Sequence, residues 1–301
     1  MFQYKTEQKS YKIGKYYVGG DPRKVPTALA GSIFYLHQKK IFKDERNGKI
    51  DKLYAESLIK RQEEMADKTG LTPMLDVILS YEESIEPLLN FVFEVSDTPI
   101  LVDAPHWEIK QPLIKYLIKT GLDRHVVYNT ITSSSFDEEF QSLSQTKIEN
   151  FVLLPIESHY WTTQARMDVA DKLVEKALSY DFKKHNFLID TCVIDYTSLG
   201  IAMNAIEQVK IKYGYPAGTA GQNLADAWKN LPKKFGDIKN YVKIAASTIT
   251  LAAGADFILY GPLQLAEIIF PNVALVKAAQ AQFLSENLEK LRSNHPIFKI
   301  G

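Results

Sequence analysis

A chain of 301 residues is long for one ordinary domain but suits a single α/β barrel with a small extension. Its content is ordinary for a water-soluble globular protein, at 46% hydrophobic and 24% charged residues. Thirty-six basic residues balance 36 acidic ones, which leaves no net field to draw the protein to nucleic acid or to insert it at an anionic membrane.

Residues 1–25 read as a β-hairpin extension. Three β-prone pieces, at 2–4, 11–13 and 16–18, are punctuated by Gly14-Lys15 and closed by Gly19-Gly20-Asp21-Pro22. The hairpin is expected to cap the N-terminal face of a barrel built from residues 26–301. An apolar run at 28–35 is the first barrel strand, and residues 39–49 form a charged loop. Residues 51–68 have helical periodicity, with Leu53, Tyr54, Leu58, Ile59 and Met65 on one side and Gly70 placed as the C-cap. A strand at 74–79 and a helix at 84–95 follow. The run at 100–103 leads to a helix at 108–120 closed by Gly121. The run at 126–129 leads through Ser133-Ser134-Ser135 to a helix starting near Asp137. Residues 151–156 are the fifth strand and 162–180 a long amphipathic helix; 187–190 and 198–212 are the sixth pair. The seventh strand is weak, at 215–218. Helices at 225–230 and 240–253, a strand at 256–260 and a helix from 273 to 291 complete the series. Eight strand–helix alternations without consecutive strands predict a closed (β/α)8 TIM barrel. Gly31-Ser32-Ile33-Phe34 lacks the glycine-rich phosphate turn that an open doubly wound sheet would need.

Several strands end on a polar residue. Asp76, Asp103, Asn129 and Asp190 close the second, third, fourth and sixth apolar runs, and a barrel brings such positions to one pocket. Each also fits a helix N-cap, a role that Asp and Asn take routinely. As a set without metal ligands, these acids and the amide suit a flat heterocycle with several N–H and C=O groups, such as a pterin or a purine. The six histidines are scattered, with no H-x-H or H-E-x-x-H, so no protein-bound metal is expected. His106 and His159 follow the third and fifth strands, near the expected pocket, where a surface role competes. Cys192 is the only cysteine, which excludes an internal disulfide and multi-cysteine zinc sites; a buried structural thiol fits it better than a nucleophile. No strand ends on a lysine suited to a Schiff base, and G-x-S-x-G is absent. The loop from Tyr213 to Asn223 holds three glycines from Gly214 to Gly221, which let backbone approach a ligand closely. The start of the chain has no signal-peptide core, and no stretch approaches the roughly 18–20 uncharged apolar residues of a membrane span. A cytoplasmic protein without membrane insertion is expected.

Gly31-Ser32-Ile33-Phe34-Tyr35, Asp44-Glu45, Gly48, Asp51 and the segment from Arg61 to Gly70 resemble the MtrH family of tetrahydromethanopterin S-methyltransferase subunits. That family includes bacterial relatives that work with tetrahydrofolate and corrinoid proteins, as in glycine betaine demethylation. The resemblance extends over nearly the whole chain. It implies a TIM-barrel methyltransferase moving a methyl group between N5 of a reduced pterin and the cobalt of a corrinoid (cobalamin) carried by a separate protein, with a homodimer as the expected assembly. By the same resemblance Asp103, Asn129 and Asp190 correspond to the acid–amide–acid set that holds the pterin ring. Asn223 is the candidate for the amide that contacts N5 after strand seven; Asp76 and Gly218 complete the pterin-binding set. Tetrahydrofolate, or its methylated form, is the preferred co-substrate, with tetrahydromethanopterin as the alternative. The chain lacks D-x-H-x-x-G, since Asp103-Ala104-Pro105-His106 has the wrong spacing, so the corrinoid is expected to arrive on the partner. A barrel hydrolase or lyase using Asp103 and Asp190 as acid and base, and a non-catalytic scaffold, are the rival functions.

Overall fold

The computed structural model describes residues 4–157, 162–182, 184–286 and 290–301. Eight parallel strands close a barrel: β3 (Ala28–Ile33), β6 (Thr72–Ile78), β7 (Ile100–Asp103), β8 (Val126–Thr132), β9 (Asn150–Leu154), β10 (Asn186–Asp190), β11 (Ala217–Thr219) and β12 (Phe257–Pro262), with β12 pairing back to β3. The TIM barrel read from the alternation is therefore the fold. Before it, β1 (Ser10–Ile13) and β2 (Tyr16–Gly19) form an antiparallel hairpin, and β4 (Phe42–Asp44) pairs with β5 (Lys49–Ile50) in a second one. That second hairpin corrects the charged-loop expectation for residues 39–49. Asn47 bonds back to Asp44, making a compact turn that the lysine-rich composition conceals.

Strands buried on both faces explain the continuous apolar runs. Ala28, Ala30, Met74, Leu101, Val127, Val152, Leu188, Phe257 and Leu259 point inward and fill the barrel, and Ile13 and Val18 of the hairpin pack with them. The alternate residues, among them Leu75, Val102, Tyr128, Phe151, Phe187 and Ile258, pack against the surrounding helices. A side-chain period of two then places Ser32, Asp76, Asp103, Asn129 and Asp190 on the inward face, above that apolar layer.

The first helix, α1 (Lys52–Thr69), shows local chemistry agreeing with the fold. Asp51 caps it by accepting from the Tyr54 amide, and Gly70 ends it at φ 71°, a left-handed conformation in which glycine avoids the Cβ penalty. The others are α2 (Glu82–Val95), α3 (Trp107–Thr120), α4 (Asp137–Ser144), α5 (Thr163–Ser179), α6 (Ser198–Lys212), α7 (Asn223–Ala227), α8 (Leu231–Phe235), α9 (Lys239–Ile249) and α10 (Ala266–Glu286). α10 begins seven residues before the expected start at 273. Pro271 lies inside it and sacrifices only one backbone bond near its first turns.

One buried ion pair holds the last strands from the N-terminal side. Asp256, just before β12, accepts from Lys210 Nζ of α6 at 2.6 Å and from the Ala217 amide of β11 at 3.0 Å; both charged side chains are almost wholly buried. Burial pushes the Asp256 carboxyl up, and the Lys210 ammonium opposes that shift. Removing one partner leaves an uncompensated charge, so Lys210→Met is expected to cost about 3–5 kcal/mol of stability. Urea unfolding monitored by circular dichroism checks this; a loss below about 1 kcal/mol would show that the pair contributes little.

Candidate active site

At the C-terminal mouth of the barrel lies a cavity of about 480 Å³. Its lining includes Ser32, Asp76, Asp103, Asn129, Asp190 and Asn223. The strand-end acids and amide thus converge from β6, β7, β8 and β10. None is a helix N-cap: the helices after these strands are capped at Tyr81, His106, Phe136 and Thr197. Of the other expectations, His106 does not line the cavity, and His159 lies outside the described residues.

Asp76 is tied into the barrel. Ser32 Oγ of β3 donates to one of its oxygens at 2.7 Å, and Asn129 Nδ2 of β8 donates to the other at 3.1 Å. The register sets up the first contact, because Ser32 stands directly opposite Asp76. Asp103, opposite Asn129 in the next pair, makes no side-chain hydrogen bond among the described residues. Burial raises the pKa of Asp76 against the two hydrogen bonds. Burial, then the neighbouring Asp76 charge, raises Asp103 well above the carboxylate range, with Lys110 opposing. Two carboxyls this close cannot both ionise easily. Asp76, with a donor on each oxygen, is the better holder of the charge. Asp103 is the member that retains a proton.

Asp190 is set apart from this pair. The Cys192 amide donates to its Oδ1 at 2.8 Å, and the turn that follows is fixed by Arg166, whose guanidinium donates to the Thr191 and Cys192 carbonyls. Asp103 and Asp190 each keep part of their surface open to the cavity, yet the protein encloses both sufficiently for desolvation to dominate. For Asp190 it pushes the carboxyl up to about 6, against the Cys192 amide. Cys192 itself is buried, with its thiol pushed up to about 12 by that burial, consistent with the structural thiol expected.

The β11 loop is arranged less simply. Asn223 is the first residue of α7, exposed on the rim, with its Nδ2 3.4 Å from the Val193 carbonyl and its Oδ1 accepting from Gln222. Gly218 does not line the cavity. It faces the barrel interior, where a methyl group would collide with the Phe257 carbonyl and ring. Its glycine is explained by strand packing alone.

The family profile described as "Tetrahydromethanopterin S-methyltransferase MtrH subunit" matches residues 6–289. The chain belongs to the MtrH family of tetrahydromethanopterin S-methyltransferase subunits. The tetrahydromethanopterin S-methyltransferase family member from Methanocaldococcus jannaschii is 33% identical to it, with 100% of both chains covered. A putative mtx methyltransferase subunit from Methanosarcina acetivorans is 32% identical over 99% of each. Among solved structures, a Yersinia pestis dihydropteroate synthase with a sulfonamide drug complex superposes at TM-score 0.63 with 12% identity, over 91% of this chain and 100% of that one. A Xanthomonas albilineans dihydropteroate synthase in complex with 7,8-dihydropteroate gives 0.59 and 13%, over 90% and 98%. At these identities the structural likeness establishes the TIM-barrel fold alone. Membership of the MtrH family makes the chain an enzyme, a methyltransferase. Among the described residues no helix is long and apolar enough to cross a membrane, and no cluster of three or more His, Cys, Asp or Glu is placed to hold a metal ion.

In this MtrH-family barrel, sequence reasoning missed Ser32, Gln222 and the Asp226–Lys243 pair, all at the cavity. Lys243 Nζ reaches Asp226 Oδ2 at 2.9 Å, and Lys239 reaches Asp226 Oδ1 at 2.5 Å. Ser32 had a usable signal, as the polar residue near the end of the first predicted strand. Asp226 and Lys243 sit on different helices and have no local signature.

A carboxyl with a folded pKa near 6 and an unfolded value of about 4 binds its proton more tightly in the folded state. It therefore lowers stability as pH rises between those values, and the cost is absent below both. Asp190→Asn is expected to gain about 1–3 kcal/mol at pH 7.5 relative to the native residue and to flatten the pH dependence between about 4 and 6. Denaturant titrations from pH 4 to 8 test this; parallel profiles for the two proteins would contradict it.

Proposed function

We propose that the chain exchanges a methyl group between the cobalt of a corrinoid, held by a separate protein, and N5 of tetrahydrofolate bound in the barrel mouth. The observation carrying this reading is the set of Asp103, Asn129 and Asp190 around one cavity with complementary hydrogen-bonding states. The set fits a reduced pterin. A carboxyl near its titration point, Asp190, accepts from ring N–H groups; an amide both donates and accepts; and a neutral acid, Asp103, stands without a protein partner. The cavity volume is within the range of small-molecule sites. A homodimer working in the cytoplasm is part of the same proposal.

Transfer from N5 to cobalt is hindered because a tertiary amine departs as an unstable anion; a proton or hydrogen bond delivered to the nitrogen relieves this. Asp103 and Asn223 are the cavity groups able to donate toward N5, and Asp76 helps keep Asp103 protonated. In the reverse direction N5 is the nucleophile, and the demand on the protein is orientation by Asn129 and Asp190. The corrinoid supplies the methyl-accepting or methyl-donating metal, and this chain supplies the pterin in a fixed pose below an open mouth.

The names of the methanogen relatives favour tetrahydromethanopterin as the carrier. Both carriers share the reduced pterin ring, so the two readings divide on the tail. Calorimetry with each carrier decides between them, and absence of binding to either at millimolar concentration would sink the pterin reading. Asp103→Ala and Asp190→Ala are each expected to weaken pterin binding by about 1–3 kcal/mol, the cost of leaving a polar partner unpaired. Unchanged affinity in both, with the fold intact, would reduce these residues to a structural role.

A further inference from the structure

We infer that the aromatic and lysine-rich rim formed by Tyr196, Trp228, Phe235, Lys229, Lys233 and Lys234 is the docking surface for the corrinoid-carrying protein, and that the partner meets it with an acidic face. The inference rests on the methyl-transfer function proposed above.

The segment after β11 departs most from a simple strand–helix unit, since two five-residue helices, α7 and α8, precede α9. Its first part builds the cavity, through Gln222, Asn223 and Asp226. The part that follows turns outward. Trp228 stacks between two exposed rings: Tyr196, from the loop after β10, lies 5.4 Å away between centroids, and Phe235, at the end of α8, lies 5.9 Å away. Tyr196 is 57% exposed and Phe235 54%. Neither ring is needed to close the barrel, and exposed aromatics grouped in this way mark contact surfaces.

The charge around them is equally uneven. The whole chain is balanced, yet residues 226–243 carry five lysines against two aspartates. Asp226 is committed to Lys239 and Lys243, while Lys229, Lys233 and Lys234 are exposed and make no ion pair among the described residues. Three uncompensated ammonium groups beside an aromatic cluster fit a negatively charged protein surface, which they would steer and orient. Geometry identifies which protein. A cobalt carried on another chain must approach a nitrogen held inside this mouth, so its carrier must press on the rim. This patch is continuous with the cavity wall through α7.

The test compares two corrinoid substrates with tetrahydrofolate as the other reactant: free methylcobalamin, and a methylated corrinoid protein purified from the same cells by its visible absorbance. The variants are the exposed charge reversal Lys233→Glu/Lys234→Glu and, separately, Phe235→Ser. Thermal melts confirm folding. The expected result is at least a tenfold rise in KM for the corrinoid protein in each variant, with unchanged rates on free methylcobalamin and unchanged tetrahydrofolate affinity. The charge reversal should also abolish the salt dependence of that KM. Equal KM values for native and variant proteins would overturn the docking surface. So would a changed sedimentation coefficient in the charge-reversal variant alone, which would make the patch an interface between copies of this chain. If the native protein moves no methyl group from either corrinoid, the underlying methyl-transfer reading has failed, and the docking inference falls with it.

Discussion

Closure of eight parallel strands into one barrel is the constraint from which the site follows. A strand covered by helices outside and by other strands inside tolerates polar groups only where the apolar interior layer ends. Here that layer is built by Ala30, Met74, Leu101, Val127, Val152, Leu188 and Leu259. Two residues further along β3, β6, β7, β8 and β10 stand Ser32, Asp76, Asp103, Asn129 and Asp190. The period of two leaves them no direction but inward. The site is therefore a product of register, and the loops add to a set that the strands have already assembled.

Register also sets the electrostatics. Ser32 lies opposite Asp76, and Asn129 opposite Asp103, so donors meet Asp76 while Asp103 is left facing the cavity. Burial disfavours charge on both carboxyls, and their proximity lets only one of them resolve the conflict by ionising. Asp190 escapes this competition, because its turn gives it an amide donor and places it on the far strand. Three carboxyls on one barrel thus have three environments. A stable fold with no ligand to bind would have little use for such a cluster, which costs stability in the absence of a partner.

The reverse holds at the opposite end. There Asp256 and Lys210 are paired and almost fully buried, and the hairpin places Ile13 and Val18 in contact with the interior layer. One end of the barrel is closed by complementary groups and the other is left with unmatched ones. That asymmetry separates the part of the molecule concerned with stability from the part available to a substrate and a partner.

The amino-acid sequence determined the alternation, the barrel, the polar strand ends and the family, because each of these is written in local periods, caps and contiguous motifs: the apolar runs before Asp103, Asn129 and Asp190, the Asp51 and Gly70 caps, and the segment from Arg61 to Gly70. It left open whether the strand-end residues cap helices or line a cavity, since both roles use the same residue types at the same boundary. Only the tertiary structure decided that. It also decided that Gly218 serves strand packing beside Phe257, that Ser32 belongs with Asp76, and that Asp226 meets Lys243. These are contacts between residues distant in the chain, fixed by strand register and barrel closure, and no local pattern encodes them.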